Sequence, residues 1–65
     1  MGNKVKELRE SKGLSKEELA VESKSSYPMI SAIENGHRVP NLKLAGRLAR
    51  IFGVSIEELE LNGEG

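Results

Sequence analysis

The sequence predicts an all-α domain: a compact bundle of five short helices, two of them joined by a tight turn at about residues 15–34. Three observations predict it. Apolar residues recur at helical spacing, and no segment alternates in the manner of a strand. Two Ser-x-x-Glu capping boxes, Ser15–Glu18 and Ser55–Glu58, mark helix starts. Gly13, Asn35-Gly36, Pro40 and Gly53 divide the chain into pieces of helical length.

The first helix is expected from about Lys4 to Lys12, with Asn3 as its N-cap and Gly13 just past its end. Val5 and Leu8 face inward at i, i+3 spacing. The second helix starts at Ser15, whose oxygen takes a backbone N–H while Glu18 reaches back to the cap. Leu19 and Ala20 are its buried positions, and it ends near Ser23. Glu17 and Glu18 complement the positive end of the helix dipole, a better reading than an acid–base role. Lys24-Ser25-Ser26 is the turn. Either Ser26 caps the third helix, or Tyr27 does so with Pro28 in the first helical position, where the missing N–H has no intrahelical partner. Ile30 and Ile33 mark the buried side, and Asn35-Gly36 stops the helix. A helix from Tyr27 to Glu34 is about 12 Å long at ~1.5 Å per residue. A DNA major groove is about 12 Å wide, although any helix of two turns matches it equally well.

The fourth helix follows Pro40, with Asn41 as cap and Gly53 as stop. Leu42, Ala45, Leu48, Ala49 and Phe52 form an apolar stripe, and Leu44 and Ile51 widen it beyond what a single core needs. Gly46 in mid-helix costs up to ~1 kcal/mol relative to Ala; it either permits close packing or is simply tolerated. The fifth helix is short, Ser55 to Leu59, and the end, Asn62-Gly63-Glu64-Gly65, is expected to fray. The 65 residues make one domain, with its core at about 4–60 and a tail at about 61–65. A domain this small buries only about 60% of its unfolded surface, so dimerisation would add stability.

Composition narrows the function. The chain has no Cys and no Asp, and one His, His37. Scattered Glu and a lone His are poor material for a metal site, and no Gly-rich phosphate loop occurs. An enzyme, a cofactor and a metal are therefore not expected. His37 reads as a solvated loop residue; protonated, it would add a phosphate contact. No apolar run approaches the ~20 residues of a membrane span. The N-terminal MGNKVKEL lacks the apolar core of a signal peptide, so a soluble cytoplasmic protein is the expectation.

Ten Lys and Arg balance ten Glu, but unevenly along the chain. Residues 24–50 carry Lys24, Arg38, Lys43, Arg47 and Arg50 against Glu34 alone. Acids concentrate at Glu17, Glu18 and Glu22 and at Glu57, Glu58, Glu60 and Glu64. The charge pattern fits either a polarised molecule, basic on one face, or an ordinary mixed surface.

The residues Leu8-Arg9, Leu14-Ser15, Glu18-Leu19-Ala20, Ile30-Ser31, Ile33-Glu34-Asn35-Gly36, Pro40 and Phe52-Gly53-Val54-Ser55 with Leu59 carry a resemblance. The sequence resembles the helix-turn-helix domain of the Cro and phage-repressor family, also called the xenobiotic-response-element family, over roughly residues 4–60. The resemblance implies a five-helix bundle of the lambda-repressor-like type that binds double-stranded operator DNA, usually as a homodimer. It implies that Ser15 and Lys16 abut the DNA backbone, and that Asn35, Arg38, Asn41 and Lys43 grip phosphate. Tyr27, Pro28, Ser31 and Ala32 match the base-reading positions, with Ser26 at the helix start beside them. Arg9 and Glu34 match a structural salt bridge between the first and third helices.

Three departures stand out. Lys24 replaces a common Gly at a position favouring positive φ. Ser23 and Ser25 replace apolar residues of the turn. The chain has no Gln, and none of Tyr27, Pro28, Ser31 and Ala32 makes the bidentate base contacts that discriminate by ~1–3 kcal/mol. Pro28 and Ala32 suit thymine methyls, while Tyr27 and Ser31 suit single or water-mediated hydrogen bonds. Tyr27 alternatively just covers the turn, and Met29 is core or half-exposed filler.

Two functions follow as expectations. One is a transcriptional regulator, a repressor on a palindromic operator, with two recognition helices about 34 Å apart in a homodimer. Leu44, Ile51, Ile56 and Leu61 are the surplus apolar residues for its interface. The other is a protein-interaction module or antitoxin on the same fold, whose partner is a toxin or another regulator.

Overall fold

The computed structural model describes residues 3–61. They form four α-helices and one 3-10 turn: α1 (Val5–Ser11), α2 (Lys16–Glu22), α3 (Tyr27–Glu34), α4 (Leu42–Phe52) and the turn Glu57–Leu59. No strand occurs among the described residues. The expected tail, apart from Leu61, lies outside them.

The five-helix expectation is corrected at the last element. The Ser55–Glu58 box does form, with Glu58 N–H donating to Ser55 Oγ at 3.2 Å and Ser55 N–H donating to Glu58 Oε1 at 2.9 Å. Yet the chain makes a single 3-10 turn and stops, because Glu60 turns left-handed at φ 54°. One fully buried side chain, Leu59, anchors this turn, and one turn of helix fixes too many dihedrals for the bonds it gains.

The caps explain the other boundaries. Asn3 sits one residue before the cap position of α1. Its Oδ1 accepts from Val5 N–H at 3.0 Å, and its Nδ2 donates to the Ile33 carbonyl at 2.8 Å, which ties the start of α1 to the end of α3. Ser15 and Glu18 form the reciprocal box at α2, with bonds of 3.0 and 2.8 Å. Ser26, rather than Tyr27, caps α3: its Oγ accepts from Met29 N–H at 3.2 Å, and Pro28 stands in the first turn. Asn41 Oδ1 accepts from Leu44 N–H at 2.9 Å, and Gly53 closes α4 at φ 71°.

The turn between α2 and α3 has two unusual residues. Ser23 is fully buried, and its hydroxyl donates back to the Leu19 carbonyl at 2.8 Å, so a polar group occupies an apolar position with its hydrogen bond made. Lys24 adopts the left-handed conformation, φ 59°. For a residue with a Cβ that conformation costs about 1–2 kcal/mol.

All four helices contribute to one core. Val5 of α1, Leu19 of α2, Ile30 and Ile33 of α3, and Leu48 of α4 are fully buried, and Leu59 closes the far side. Leu8, Met29 and Ile51 are half-buried against it. The phase of α4 differs from the expected stripe. Leu42 is 76% exposed and Leu44 is 8% exposed, so the buried face is Leu44, Ala45, Leu48, Ala49 and Phe52. Gly46 has open space where a Cβ would lie, which removes close packing as its reason within the monomer.

Arg9 pins α1 to α3. Its Nε donates to Glu34 Oε2 at 2.7 Å and its Nη2 to Oε1 at 3.3 Å, while Nη1 donates to the Leu14 carbonyl at 2.8 Å. The hydrogen bond from Glu34 raises the Arg9 pKa above its ordinary value, against the opposing effect of burial. The guanidinium therefore joins two helices and the loop between α1 and α2.

Candidate nucleic-acid interface

The core decides which face of α3 is free. With Ile30, Ile33 and Glu34 buried, the opposite side carries Pro28, exposed, and Ser31 and Ala32, both half-buried. Tyr27 stands at the N-terminal end of that side, 45% exposed. The packing of α2 against α3 holds this face at a fixed angle to the start of α2.

Side chains from the two helices meet there. Lys16 Nζ lies 5.7 Å from the centre of the Tyr27 ring. Such a cation–π contact at an exposed site contributes about 0.5–1 kcal/mol and orients both groups. Ser15 and Ser26, both exposed, stand at the N-termini of α2 and α3, with their oxygens engaged in capping. Their helix ends present free backbone N–H groups and a positive dipole end, both suited to an anion.

A second group lies on the flank of α3. Arg38, Asn41 and Lys43 line one open groove of about 320 Å³ between the α2–α3 turn and the start of α4. Asn41 uses its Oδ1 for capping, which leaves its amide N–H groups to donate outward. Asn35, the C-cap of α3, is exposed at the end of the helix, and His37 is exposed in the loop beyond. The groove also takes Lys24 and Arg47, to which the sequence reading gave no contact role. The available signal was modest: Arg47 follows Lys43 by one helical turn.

A different surface of the fold differs in charge. Another groove, of about 350 Å³, is lined by Glu7, Glu10, Glu34 and Glu60 together with Lys4 and Lys6. The two grooves thus differ in charge: the one beside α3 gathers Lys24, Arg38, Lys43 and Arg47 without a carboxylate, and the other is mixed with an excess of Glu. Among the described residues no three His or carboxylate side chains converge as metal ligands would, and no helix is long and apolar enough to cross a membrane.

Of the residues expected at an interface between copies, Leu44 belongs to the core, and Ile51 and Leu61 are half-buried against it. Ile56 is 38% exposed. Leu44 is corrected for a simple reason: it lies on the buried side of α4 that also carries Leu48 and Phe52, so it is not surplus surface. The exposed apolar residues near this end of the chain are instead Val39, Leu42 and Ile56.

The comparison with known proteins agrees with this geometry. The family model described as helix-turn-helix matches residues 5–59. The chain belongs to the Cro-type helix-turn-helix family. Its relatives include an uncharacterized HTH-type transcriptional regulator of Methanocaldococcus jannaschii, 44% identical over 59 residues that span 91% of this chain and 89% of the relative. Another, from Bacillus subtilis, is 39% identical over the same shares of both chains. A third, from Archaeoglobus fulgidus, is 36% identical over 91% of this chain and 84% of its own length. No solved structure matches the chain. In this family's terms, α2 and α3 are the two helices of the motif.

Proposed function

We propose that this helix-turn-helix protein is a DNA-binding transcriptional regulator that inserts α3 into the major groove. The observation that carries the reading is the arrangement of α2 and α3. The core holds Ile30 and Ile33 and leaves Tyr27, Pro28, Ser31 and Ala32 outward, flanked by cations on both sides. Lys16 and Ser15 at the start of α2, and Arg38, Asn41 and Lys43 beside α4, hold the phosphate backbone; Ser26 and Asn35 add polar contacts at the two ends of α3. Phosphate contacts fix the register of the protein but carry no sequence information. Apolar and single-bond contacts from α3 read bases weakly, so sequence preference comes in good part from the shape of the DNA. The protein acts as a repressor, a homodimer on a palindromic site. Ile56 belongs to its interface, with Ile51 and Leu61 beneath.

Fluorescence anisotropy against the DNA flanking the protein's own gene, at two salt concentrations, tests this. The expected result is saturable binding of two chains per site that weakens steeply with salt. Lys16→Ala and Arg38→Ala each weaken binding to all sequences and lower the salt slope by about two, one phosphate contact being lost from each chain of the bound dimer. Unchanged affinity and slope in both variants would rule out this docking face.

A second reading rests on the absence of Gln and on the amide-free outer side of α3. On it, the domain binds a protein, a toxin or another regulator, instead of reading DNA. No DNA binding at low salt, together with a tight protein complex, favours this reading.

A further inference from the structure

We propose that the groove between the α2–α3 turn and α4 is a phosphodiester cradle extended by Lys24 and Arg47, and that it is served by placing a lysine at the left-handed position that closes α2, where Ser25 N–H donates to the Ala20 carbonyl at 2.8 Å. The inference rests on the DNA-binding reading above and goes beyond it, because neither residue belongs to the contacts assigned there.

Three observations converge. Lys24 is one of two described non-glycine residues with positive φ, at 59°, in a turn where glycine would be unstrained. The groove brings Lys24 from the turn together with Arg38 and Lys43 from the far wall and Arg47 from the second turn of α4. No carboxylate lines it among the described residues, and none of these four cations takes part in an ion pair there. Four cations without an ion-pair partner repel one another, and solvent only partly screens that repulsion. An anion relieves it.

The polar groups between the cations suit the same ligand. Asn41 directs its amide N–H groups away from the helix, and Ser25 adds a hydroxyl. Lys24, Arg38 and Lys43 are exposed, so the cradle is open and accepts a chain laid along the surface, not a small molecule enclosed by it. The sugar-phosphate backbone of the DNA held by α3 is such a chain. Arg47, half-buried, presents a planar fork matched to phosphate oxygens, whereas Lys24 contributes a mobile point charge.

The proposal predicts opposite effects of one substitution on folding and on binding. Lys24→Gly relieves the turn and raises Tm by about 4–8 °C. The same variant binds duplex DNA roughly fivefold more weakly per bound chain at low salt, as loss of one exposed charge contact in each chain implies. Its salt slope falls by about 1.8, the share of one phosphate from each of the two bound chains. Lys24→Arg, which keeps the charge, retains the affinity and slope of the unaltered protein. Arg47→Ala repeats the loss of slope without the gain in Tm. The measurements are a thermal melt and an anisotropy titration over a salt series, with the whole chain and one duplex. A Lys24→Gly variant with unaltered affinity and slope overturns the cradle while leaving the regulator reading intact. An unaltered protein that fails to bind duplex DNA at low salt overturns both.

Discussion

Replacing Arg9 by Met removes a guanidinium that makes three hydrogen bonds, two to Glu34 and one to the Leu14 carbonyl. It leaves behind a Glu34 carboxylate whose side chain is only 2% exposed. Breaking a buried pair from one side costs about 3–5 kcal/mol, because the remaining charge is neither hydrated nor compensated. A domain of this length has a total stability of about 3–10 kcal/mol, at ~0.05–0.15 kcal/mol per residue, so Arg9→Met stands at the edge of unfolding. Glu34→Met costs less, about 1.5–3 kcal/mol. There Arg9 keeps the Leu14 carbonyl, and it lies 3.9 Å from the well-exposed Glu10. The double variant strands neither charge and regains stability over Arg9→Met. Urea unfolding followed by circular dichroism measures all three, at low and high salt. The buried pair is little screened, so the loss persists in salt, unlike that of the exposed Lys4–Glu7 pair. A loss below about 1 kcal/mol for Arg9→Met, or a double variant no more stable than Arg9→Met, refutes the reasoning.

Two further perturbations test the account of the helices. Gly46→Ala places a methyl group in open space within α4 and is expected to stabilise the fold by about 0.5–1 kcal/mol, read as a rise in the urea midpoint without a change of slope. Ser15→Ala removes the oxygen that receives Glu18 N–H and costs about 1 kcal/mol by the same measurement, since α2 has seven residues and few bonds to spare.

Local chemistry made much of this fold readable from the amino acids. Ser15 with Glu18, Asn41, Gly53 and the pair Ile30 and Ile33 each specify an outcome within one helical turn, and each is found where those rules put it. The errors arose where local rules are indifferent. Leu42 and Leu44 are both apolar and two residues apart, and only the position of α4 against α1 and the shared core decides that Leu44 is buried. The Ser55–Glu58 box starts a helix correctly, but a box carries no information about how far the helix continues. The left-handed Lys24 was foreseeable from its place in the turn. Its proximity to Arg47 was not, because the meeting of the α2–α3 turn with α4 is a tertiary relation between residues far apart in the chain.

The candidate interface divides in the same way. Ser15 and Lys16 follow from the start of α2, and Tyr27 and Pro28 from the start of α3, so their proximity was implied once the two helices were joined by a short turn. The contact of Lys16 Nζ with the Tyr27 ring adds a feature of this chain, a cation placed over one face of the aromatic ring. Such a ring has its edge and hydroxyl left for DNA, which fits hydrogen bonding better than stacking.

The central claim is that the outer side of α3 and its two cationic flanks meet DNA together. Amide shift mapping of the isotope-labelled protein with a short duplex carrying its site tests this most directly. The account predicts that the shifted amides are those of Ser15, Lys16, Lys24 to Tyr27, Met29 to Ala32, Arg38 and Asn41 to Lys43, while Lys6, Glu10 and Glu57 to Leu59 stay in place. Shifts centred on the acidic groove of α1 and the 3-10 turn, with α3 unmoved, contradict it.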